Sequence, residues 1–217
     1  MLTPNTAGTL TTSWTLSLAM YYLLTTPSIL QKLKTELDTA IPNPSKSPPL
    51  ATVDNLPYLT AVVQEAIRLG YGGSGRITNI APDETMTLRS GGKEWIIPAG
   101  TPTSMTIMLL HHDENIFPDS RAFRPERWLE NPRLDKHLYS FGKGTRQCVG
   151  INLAHAELSL TLSKIFRVYG SVGYRHPNDL GALELFETEY RDVECVADMF
   201  IPKMWKGTKG VRIRVVE

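Results

Sequence analysis

Residues 141–150 read Phe141-Gly142-Lys143-Gly144-Thr145-Arg146-Gln147-Cys148-Val149-Gly150, and the rest of the chain is organised around this stretch. It places a cysteine at the end of a loop that is rich in glycine. The apolar residues that follow the cysteine at helical spacing are Ile151, Leu153, Ala154, Leu158, Leu162 and Ile165. Their spacing predicts a helix that begins directly after the loop.

The position of Cys148 favours the thiolate form of its side chain. A side chain at the start of a helix faces backbone N–H groups and the positive end of the helix dipole, and both stabilise a negative charge. The glycines of the loop allow the backbone to take a positive φ or to approach a flat ligand closely. They are Gly142, Gly144 and Gly150.

Two further side chains of the loop suit a planar, anionic ligand. Arg146 lies two residues before the cysteine and could hold an anionic group, while Phe141 could cover the sulfur and keep water away. One thiolate presented to such a ligand is what a haem iron with a cysteine ligand requires. The alternative is that Cys148 is a small buried apolar residue, which is the usual environment of a lone cysteine.

The loop resembles the haem-binding signature of the cytochrome P450 family, the haem-thiolate monooxygenases. That signature is Phe, two residues, Gly, one residue, Arg, one residue, Cys, one residue, Gly, and every fixed position is present here. The resemblance implies that haem b is the cofactor, that Cys148 is the axial ligand of its iron, and that Arg146 contacts a propionate. It also implies that electron donation from the thiolate favours cleavage of the O–O bond. The remaining cofactor-binding residues of the loop are then Phe141, Gly142, Gly144 and Gly150.

The composition is that of an ordinary globular protein. The chain has 217 residues, of which 41% are hydrophobic and 21% charged, and its formal net charge is +1. This charge gives no reason to expect a nucleic-acid partner. The two cysteines are Cys148 and Cys195. The sequence does not decide whether these two form a disulfide, but two cysteines in a chain of this length do not indicate a disulfide scaffold.

The first 31 residues carry no charged side chain, and residues 6–26 predict a helix. Frequent Thr and Ser dilute the apolar run that a membrane span needs. No basic segment precedes this run, as one would in a signal peptide. A buried core helix therefore fits the segment better.

The opening of this helix, residues 7–12, reads Ala-Gly-Thr-Leu-Thr-Thr. Glycine and consecutive threonines weaken a helical backbone, and a Thr hydroxyl can bond the carbonyl one turn back. In the family a similar segment reads Ala, Gly, any residue, an acid, Thr, Thr; it forms a groove that holds dioxygen, and its Thr helps to deliver protons. By resemblance, Thr11 is the catalytic hydroxyl. Leu10 stands where the family has the acid, which puts the proton relay in doubt.

Two more helices are predicted in the first third of the chain. Residues 27–41 carry an apolar stripe opposite charged residues, and residues 54–69 carry a second stripe. Asp54 is the predicted N-cap of the later helix. The segment between them, residues 42–49, is rich in Pro and Ser and predicts a surface loop.

A three-member charge network is implied by the resemblance. Glu65 and Arg68 are three residues apart and so lie on one face of their helix. The family has a Glu-x-x-Arg pair that is buried and joined by the Arg of a later Pro-Glu-Arg segment. Here that segment supplies Arg127. The structural network is then Glu65, Arg68 and Arg127.

Residues 70–75 form a glycine-rich turn, and three short strands are predicted after it. No Gly-Lys-Ser/Thr follows the turn and no strand precedes it, so we discount a phosphate-binding loop. The strands span residues 76–81, 85–89 and 94–97, and residues 90–93 join the last two in a hairpin. In the family a basic residue of the first strand holds a haem propionate. Asn79 aligns with that residue, so Arg76 is the cofactor-binding candidate.

The later part of the chain adds one alternative. Residues 103–110 predict a buried strand or helix, and His111-His112-Asp113 follows. Two histidines and an aspartate suggest a metal site, but adjacent residues rarely ligate one metal together and no distant His cluster completes the set. The tail, from residue 171 onward, predicts short strands that include residues 211–216.

These patterns lead to one fold and one function, with two rivals. The fold class is mainly α with small β-sheets, as in the C-terminal part of a cytochrome P450, and residues 1–217 form one partial domain. The implied function is insertion of one oxygen atom from O₂ into a small lipophilic substrate, with electrons from NADPH through NADPH–cytochrome P450 reductase. A full-length relative would sit on the cytosolic face of the endoplasmic reticulum membrane through an N-terminal anchor absent here. The rivals are an inactive or regulatory haem-binding remnant and an interaction module without a cofactor. We further expect low haem occupancy and self-association from residues 1–217 alone.

Overall fold

The computed structural model describes residues 4–217, with side chains from residue 6 onward. Its α-helices are α1 (Pro4–Thr25), α2 (Pro27–Ala40), α3 (Leu50–Val53), α4 (Pro57–Gly70), α5 (Ile107–His111), α6 (Glu126–Glu130) and α7 (Ile151–Val168). Short 3₁₀ turns span Pro132–His137, Gly144–Arg146 and Tyr190–Asp192. The strands are β1 (Asn79–Ile80), β2 (Met86–Ser90), β3 (Lys93–Ile97), β4 (Pro102–Thr103), β5 (Gly170–Ser171), β6 (Ala182–Leu185), β7 (Ala197–Asp198), β8 (Pro202–Lys203) and β9 (Ile213–Val216).

The strands form four small sheets. Antiparallel pairs join β1 to β4, β2 to β3 and β7 to β8. A three-stranded sheet has the order β5-β6-β9, in which β5 and β6 are parallel and β6 and β9 antiparallel. The predicted class, mainly α with small sheets, is confirmed.

Four helices enclose the core: α1, α2, α4 and α7 pack on one another, and α4 lies innermost, with most of its side chains buried. The fully buried core residues contributed by these helices include Leu23, Leu30, Leu33, Leu37, Leu59, Val62, Leu162 and Phe166. This packing places the C-terminal end of α4 in the interior, beside the segment that leads into the cysteine loop.

Helix α1 is buried over only part of its length, so the prediction of a core helix is wrong for its first turns. Trp14, Leu18 and Leu23 are buried, and the Trp14 indole N–H donates to the Gly70 carbonyl at 3.1 Å. Residues 7–10 are exposed. None of the helices in residues 4–217 combines the length and apolar character that crossing a membrane requires.

The start of α4 differs from the prediction. Residues 50–53 form the separate short helix α3, and Asp54 follows it as the C-cap, so Asp54 does not cap α4. Helix α4 begins at Pro57, a residue that suits the first helical position. Its free N–H groups at Tyr58 and Leu59 instead donate to the two carboxylate oxygens of Glu36 on α2, both at 2.8 Å.

The strand predictions hold for the hairpin and fail on either side of it. Strands β2 and β3 pair up to Ser90 and Lys93, with Gly91 and Gly92 at positive φ in a two-residue turn. The strand predicted over residues 76–81 is reduced to β1. The segment predicted as buried, residues 103–110, contains the end of β4 and the start of α5 and leaves Leu109 mostly exposed.

Candidate functional site

The cysteine loop is a short, tied turn. Residues 144–146 form a 3₁₀ turn, and α7 begins three residues after Cys148, at Ile151. The Cys148 amide donates to the Phe141 carbonyl at 2.8 Å, which closes the loop on itself. The Cys148 side chain is exposed and forms no disulfide. The alternative of a small buried apolar cysteine does not describe it.

Two of the three loop glycines take backbone conformations that other residues rarely adopt. Gly142 has φ 68° and Gly144 has φ 74°, and a Cβ added at either position would meet no atom within 4 Å. Gly150 has φ −88°, so its lack of a side chain is not needed for the backbone. A Cβ at Gly150 would lie 3.8 Å from the Cys148 sulfur, on the side of the loop where the thiol is.

Arg146 and Phe141 lie in different surroundings. Arg146 ends the 3₁₀ turn, is exposed, and has no hydrogen-bond or ion-pair partner among residues 4–217. Phe141 is half-buried and packs against the core, with its ring 5.5 Å from the His155 ring of α7. Burial lowers the pKa of His155, so the residue under Phe141 is held in its neutral form.

These residues fit a haem. The thiol of Cys148 and the guanidinium of Arg146 are both exposed and uncommitted within the described chain, which are the states that an iron ligand and a propionate contact need. The space beside Gly142 and Gly144 is open. Two apolar residues that follow Cys148 closely in the sequence are exposed: Val149 fully, and Leu153, on the first turn of α7, to 61%.

Thr11 lies on α1, on the half-exposed turn that precedes the buried part of the helix. Its hydroxyl donates to the Ala7 carbonyl at 3.0 Å, the bond to the preceding turn that the sequence suggests. Leu10 is 42% exposed beside it. Helix α1 packs against α7, but no hydrogen bond joins Thr11 to the cysteine loop within residues 4–217.

Arg76 and Asn79 both lie on the surface. Arg76 has no hydrogen-bond or ion-pair partner among the described residues and remains available to an anion. The Asn79 amide makes a long bond, 3.4 Å, to the Ile77 carbonyl.

The structure brings Glu65, Arg68 and Arg127 together in the interior. Arg68 forms two bonds to Glu65, from Nε at 2.9 Å and from Nη2 at 2.8 Å. The Nε–H of Arg127 donates to the same carboxylate at 3.1 Å. All three side chains are buried, so removing one partner would leave an uncompensated buried charge.

Other groups that the sequence did not assign complete this network. The Trp128 indole N–H donates to Glu65 at 2.9 Å, and the Arg124 amide donates to it at 2.9 Å. Five further guanidinium N–H groups of Arg68 and Arg127 donate to backbone carbonyls, those of Pro118, Asp119, Ser120, Ala122 and His111. Trp128 stands directly after the Pro-Glu-Arg segment, but only the fold shows where its indole points.

The two histidines that suggested a metal site are engaged in hydrogen bonds. His111 is buried, with Nδ1 2.8 Å from the Arg68 carbonyl and Nε2 3.0 Å from the Tyr139 amide. His112 is half-buried, with Nε2 2.6 Å from the Tyr71 hydroxyl and Nδ1 3.2 Å from the Ser120 hydroxyl. Neither imidazole has a nitrogen left for a metal ion.

Comparison with known proteins shows the family of the chain. The cytochrome P450 family model matches residues 1–171. The chain is 53% identical over 96% of its length to the cytochrome P450 monooxygenase tpcC of Cochliobolus heterostrophus, and covers 40% of that protein. It is 51% identical over 97% of its length to the cytochrome P450 monooxygenase astB of Talaromyces wortmannii, covering 44% of it. The chain thus spans less than half the length of these relatives. The family match covers most of the chain, including the cysteine loop, and the chain therefore belongs to the cytochrome P450 family.

Proposed function

We propose that the protein is a haem-dependent monooxygenase that inserts one oxygen atom from O₂ into a small, lipophilic organic substrate. The observation that carries the proposal is the exposed Cys148 thiol, held at the start of α7 by a loop whose fixed residues match the family signature. We propose this activity for the whole protein, because the relatives named above are more than twice as long as the chain.

The loop residues have separable roles in this function. Haem bound through Cys148 supplies the activation of dioxygen. Arg146 binds one propionate and fixes the orientation of the macrocycle, and Arg76 is the candidate for a second contact. Gly142 and Gly144 leave room for close approach of a planar ring. Val149 and Leu153 are exposed apolar side chains that would be available to contact the bound haem.

Proton delivery falls to Thr11 in this proposal. Its hydroxyl both donates and accepts hydrogen bonds, and it already donates to the Ala7 carbonyl. Helix α1 carries no ionisable acid or base beside it, because Leu10 stands at the adjacent position. Thr11 together with water must then carry protons from solvent.

The partners follow from the same proposal. A lipophilic small molecule is the substrate, and NADPH provides electrons through NADPH–cytochrome P450 reductase. For the whole protein we infer a location on the cytosolic face of the endoplasmic reticulum membrane. The names of the relatives support the monooxygenase class and leave the substrate to experiment.

A pair of cysteine variants tests the haem-thiolate assignment. Cys148→Ser should abolish the thiolate-type spectrum of the ferrous carbon monoxide complex, because serine gives the iron no sulfur ligand. Cys195→Ser is the matched control, since Cys195 is half-buried and its thiol donates to the Ala197 carbonyl. It should leave the spectrum unchanged. A thiolate spectrum that survives in Cys148→Ser would refute the assignment.

A second candidate function, a non-catalytic haem-binding protein, is favoured by two residues. Leu10 and Asn79 stand where the family has an acid and a basic residue, which would weaken proton delivery and propionate binding. An NADPH-dependent turnover assay with a reductase separates the two functions. Haem binding with a thiolate spectrum and no product would support the second.

A further inference from the structure

His111 lies in the interior, between the end of α4 and the segment that leads into the cysteine loop. Its Nε2 is 3.0 Å from the Tyr139 amide, which can only donate, so Nε2 accepts and carries no proton. Its Nδ1–H then donates to the Arg68 carbonyl at 2.8 Å. Burial lowers the pKa of His111 to about 4, so this neutral tautomer persists at neutral pH.

The bond between His111 and Arg68 is reciprocal. While Nδ1 of His111 donates to the Arg68 carbonyl, Nη1 of Arg68 donates to the His111 carbonyl at 2.8 Å. The same guanidinium holds the Glu65 carboxylate through its other nitrogens. His111 is therefore bound to Arg68 of the buried charge network through both its side chain and its backbone carbonyl.

From Tyr139 the connection continues to the iron-ligand candidate. The Tyr139 carbonyl accepts from the Gly142 amide at 2.8 Å, and the Phe141 carbonyl accepts from the Cys148 amide at 2.8 Å. The chain of bonds thus passes from His111 to Tyr139 and on to the backbone of Cys148. It consists of backbone bonds after the imidazole, so its geometry depends little on side-chain rotamers.

A second contact supports the same segment from α4. The Ser140 hydroxyl donates to the Ile67 carbonyl at 2.8 Å. Gly72, with φ 64°, lies so close to this residue that a Cβ there would be 2.3 Å from the Ser140 carbonyl oxygen. Tyr139 and Ser140 are thereby both fixed to the C-terminal end of α4, immediately before the loop.

We propose that His111 is a positioning residue, which sets the place of the Cys148 thiolate by linking its loop to the Glu65–Arg68–Arg127 network. This rests on the proposed haem-thiolate function. His111 touches neither the cofactor nor substrate in this role; it fixes the backbone from which the ligand projects. The two nitrogens have different tasks, since Nε2 holds the loop and Nδ1 holds α4.

Two substitutions separate these tasks. His111→Asn keeps an amide donor near the position of Nδ1 and leaves nothing at Nε2 to accept from Tyr139. His111→Gln places an amide near the position of Nε2 that can still accept that bond. The readout is amide hydrogen exchange of residues 139, 142 and 148 in the 217-residue chain without added haem. The Leu33 amide of α2, remote from the loop, is the internal reference.

For His111→Asn we expect exchange at these three amides to accelerate about fivefold or more relative to Leu33, which corresponds to the loss of one buried hydrogen bond. His111→Gln should stay near the wild-type rates. In haem-loaded protein, the fraction of the carbon monoxide complex with a thiolate-type spectrum should fall in His111→Asn and recover in His111→Gln.

Two results would overturn the proposal. One is exchange at the loop that accelerates no more than at Leu33, which would make His111 an ordinary core residue. The other is equal acceleration in both variants, which would remove the role of Nε2. A wild-type protein without any thiolate spectrum would instead contradict the proposed function, and the exchange data would still stand, because they need no haem.

Discussion

Glu36 on α2 caps α4 by accepting the amides of Tyr58 and Leu59 at 2.8 Å, one on each carboxylate oxygen. The carboxylate also lies at the positive end of the α4 dipole. Glu36→Ala should therefore lower the free energy of unfolding by about 1–2 kcal/mol. Asp54→Ala is the control, because Asp54 is exposed and caps no part of α4. Equal losses in urea denaturation of the two variants would contradict this account.

Lys34 is fully buried, and its ammonium group donates to the Asp179 carboxylate at 2.9 Å and to the Phe166 and Tyr169 carbonyls at the end of α7. Lys34→Ala should cost about 3–5 kcal/mol of stability, because Asp179 would stay buried without its partner. The matched control is Lys32→Ala. Lys32 pairs with Glu126 but is more than half exposed, so its loss should cost below about 1 kcal/mol. Similar thermal shifts for both variants would refute the distinction.

The buried His111 and the half-buried His112 make the stability of the fold depend on pH. Burial lowers the pKa of His111 and of His112 to about 4, from a usual value of 6.5, and the Arg68 charge adds to it. Below about pH 6.5 these two imidazoles bind protons in the unfolded chain but stay neutral in the folded chain. Their contribution to the free energy of unfolding is thus complete above about pH 6.5 and is lost as the pH falls toward 4.

The expected measurement is a urea midpoint that drops between about pH 7 and about pH 5. His112→Gln should flatten this dependence, because its imidazole no longer titrates in the unfolded chain. An unchanged slope in His112→Gln would count against the histidine account.

Leu10 should limit how efficiently electrons are used. In a chain completed with the N-terminal portion of a relative, Leu10→Glu should raise the product formed per NADPH consumed, because a carboxylate beside Thr11 can pass protons. Leu10→Gln, which is polar but cannot titrate, should give a smaller gain or none. A fall in Leu10→Glu, or no change, would remove the argument that Thr11 lacks a proton donor.

The sequence predicted those parts of the fold whose signals are local. The helix after Cys148, the helices at residues 6–26 and 27–41 and the Gly91–Gly92 hairpin all rest on periodicity or on turn chemistry. They appear within a few residues of the predicted bounds. The cysteine loop was predicted from residue types at fixed spacing, and its role as a haem ligand stays a prediction.

The features that sequence reasoning missed are interactions between distant segments. Asp54 has the chemistry of a helix cap, yet Glu36, 22 residues before Tyr58, occupies that place because α2 packs across the start of α4. His111 suggested a metal, but its nitrogens face the Arg68 carbonyl and the Tyr139 amide, which only the folded chain brings near. The exposure of residues 7–10 was missed for the same reason, because burial of a helix turn depends on which distant segments pack against it.

The close approach of Gly72 to the Ser140 carbonyl has a consequence for how this protein can diverge. Any side chain at position 72 meets a backbone atom at 2.3 Å, and the positive φ adds a second barrier. Sequence drift at this position is therefore blocked until residue 140 moves, and residue 140 precedes the cysteine loop by one position. The two segments must therefore keep this contact or change it together.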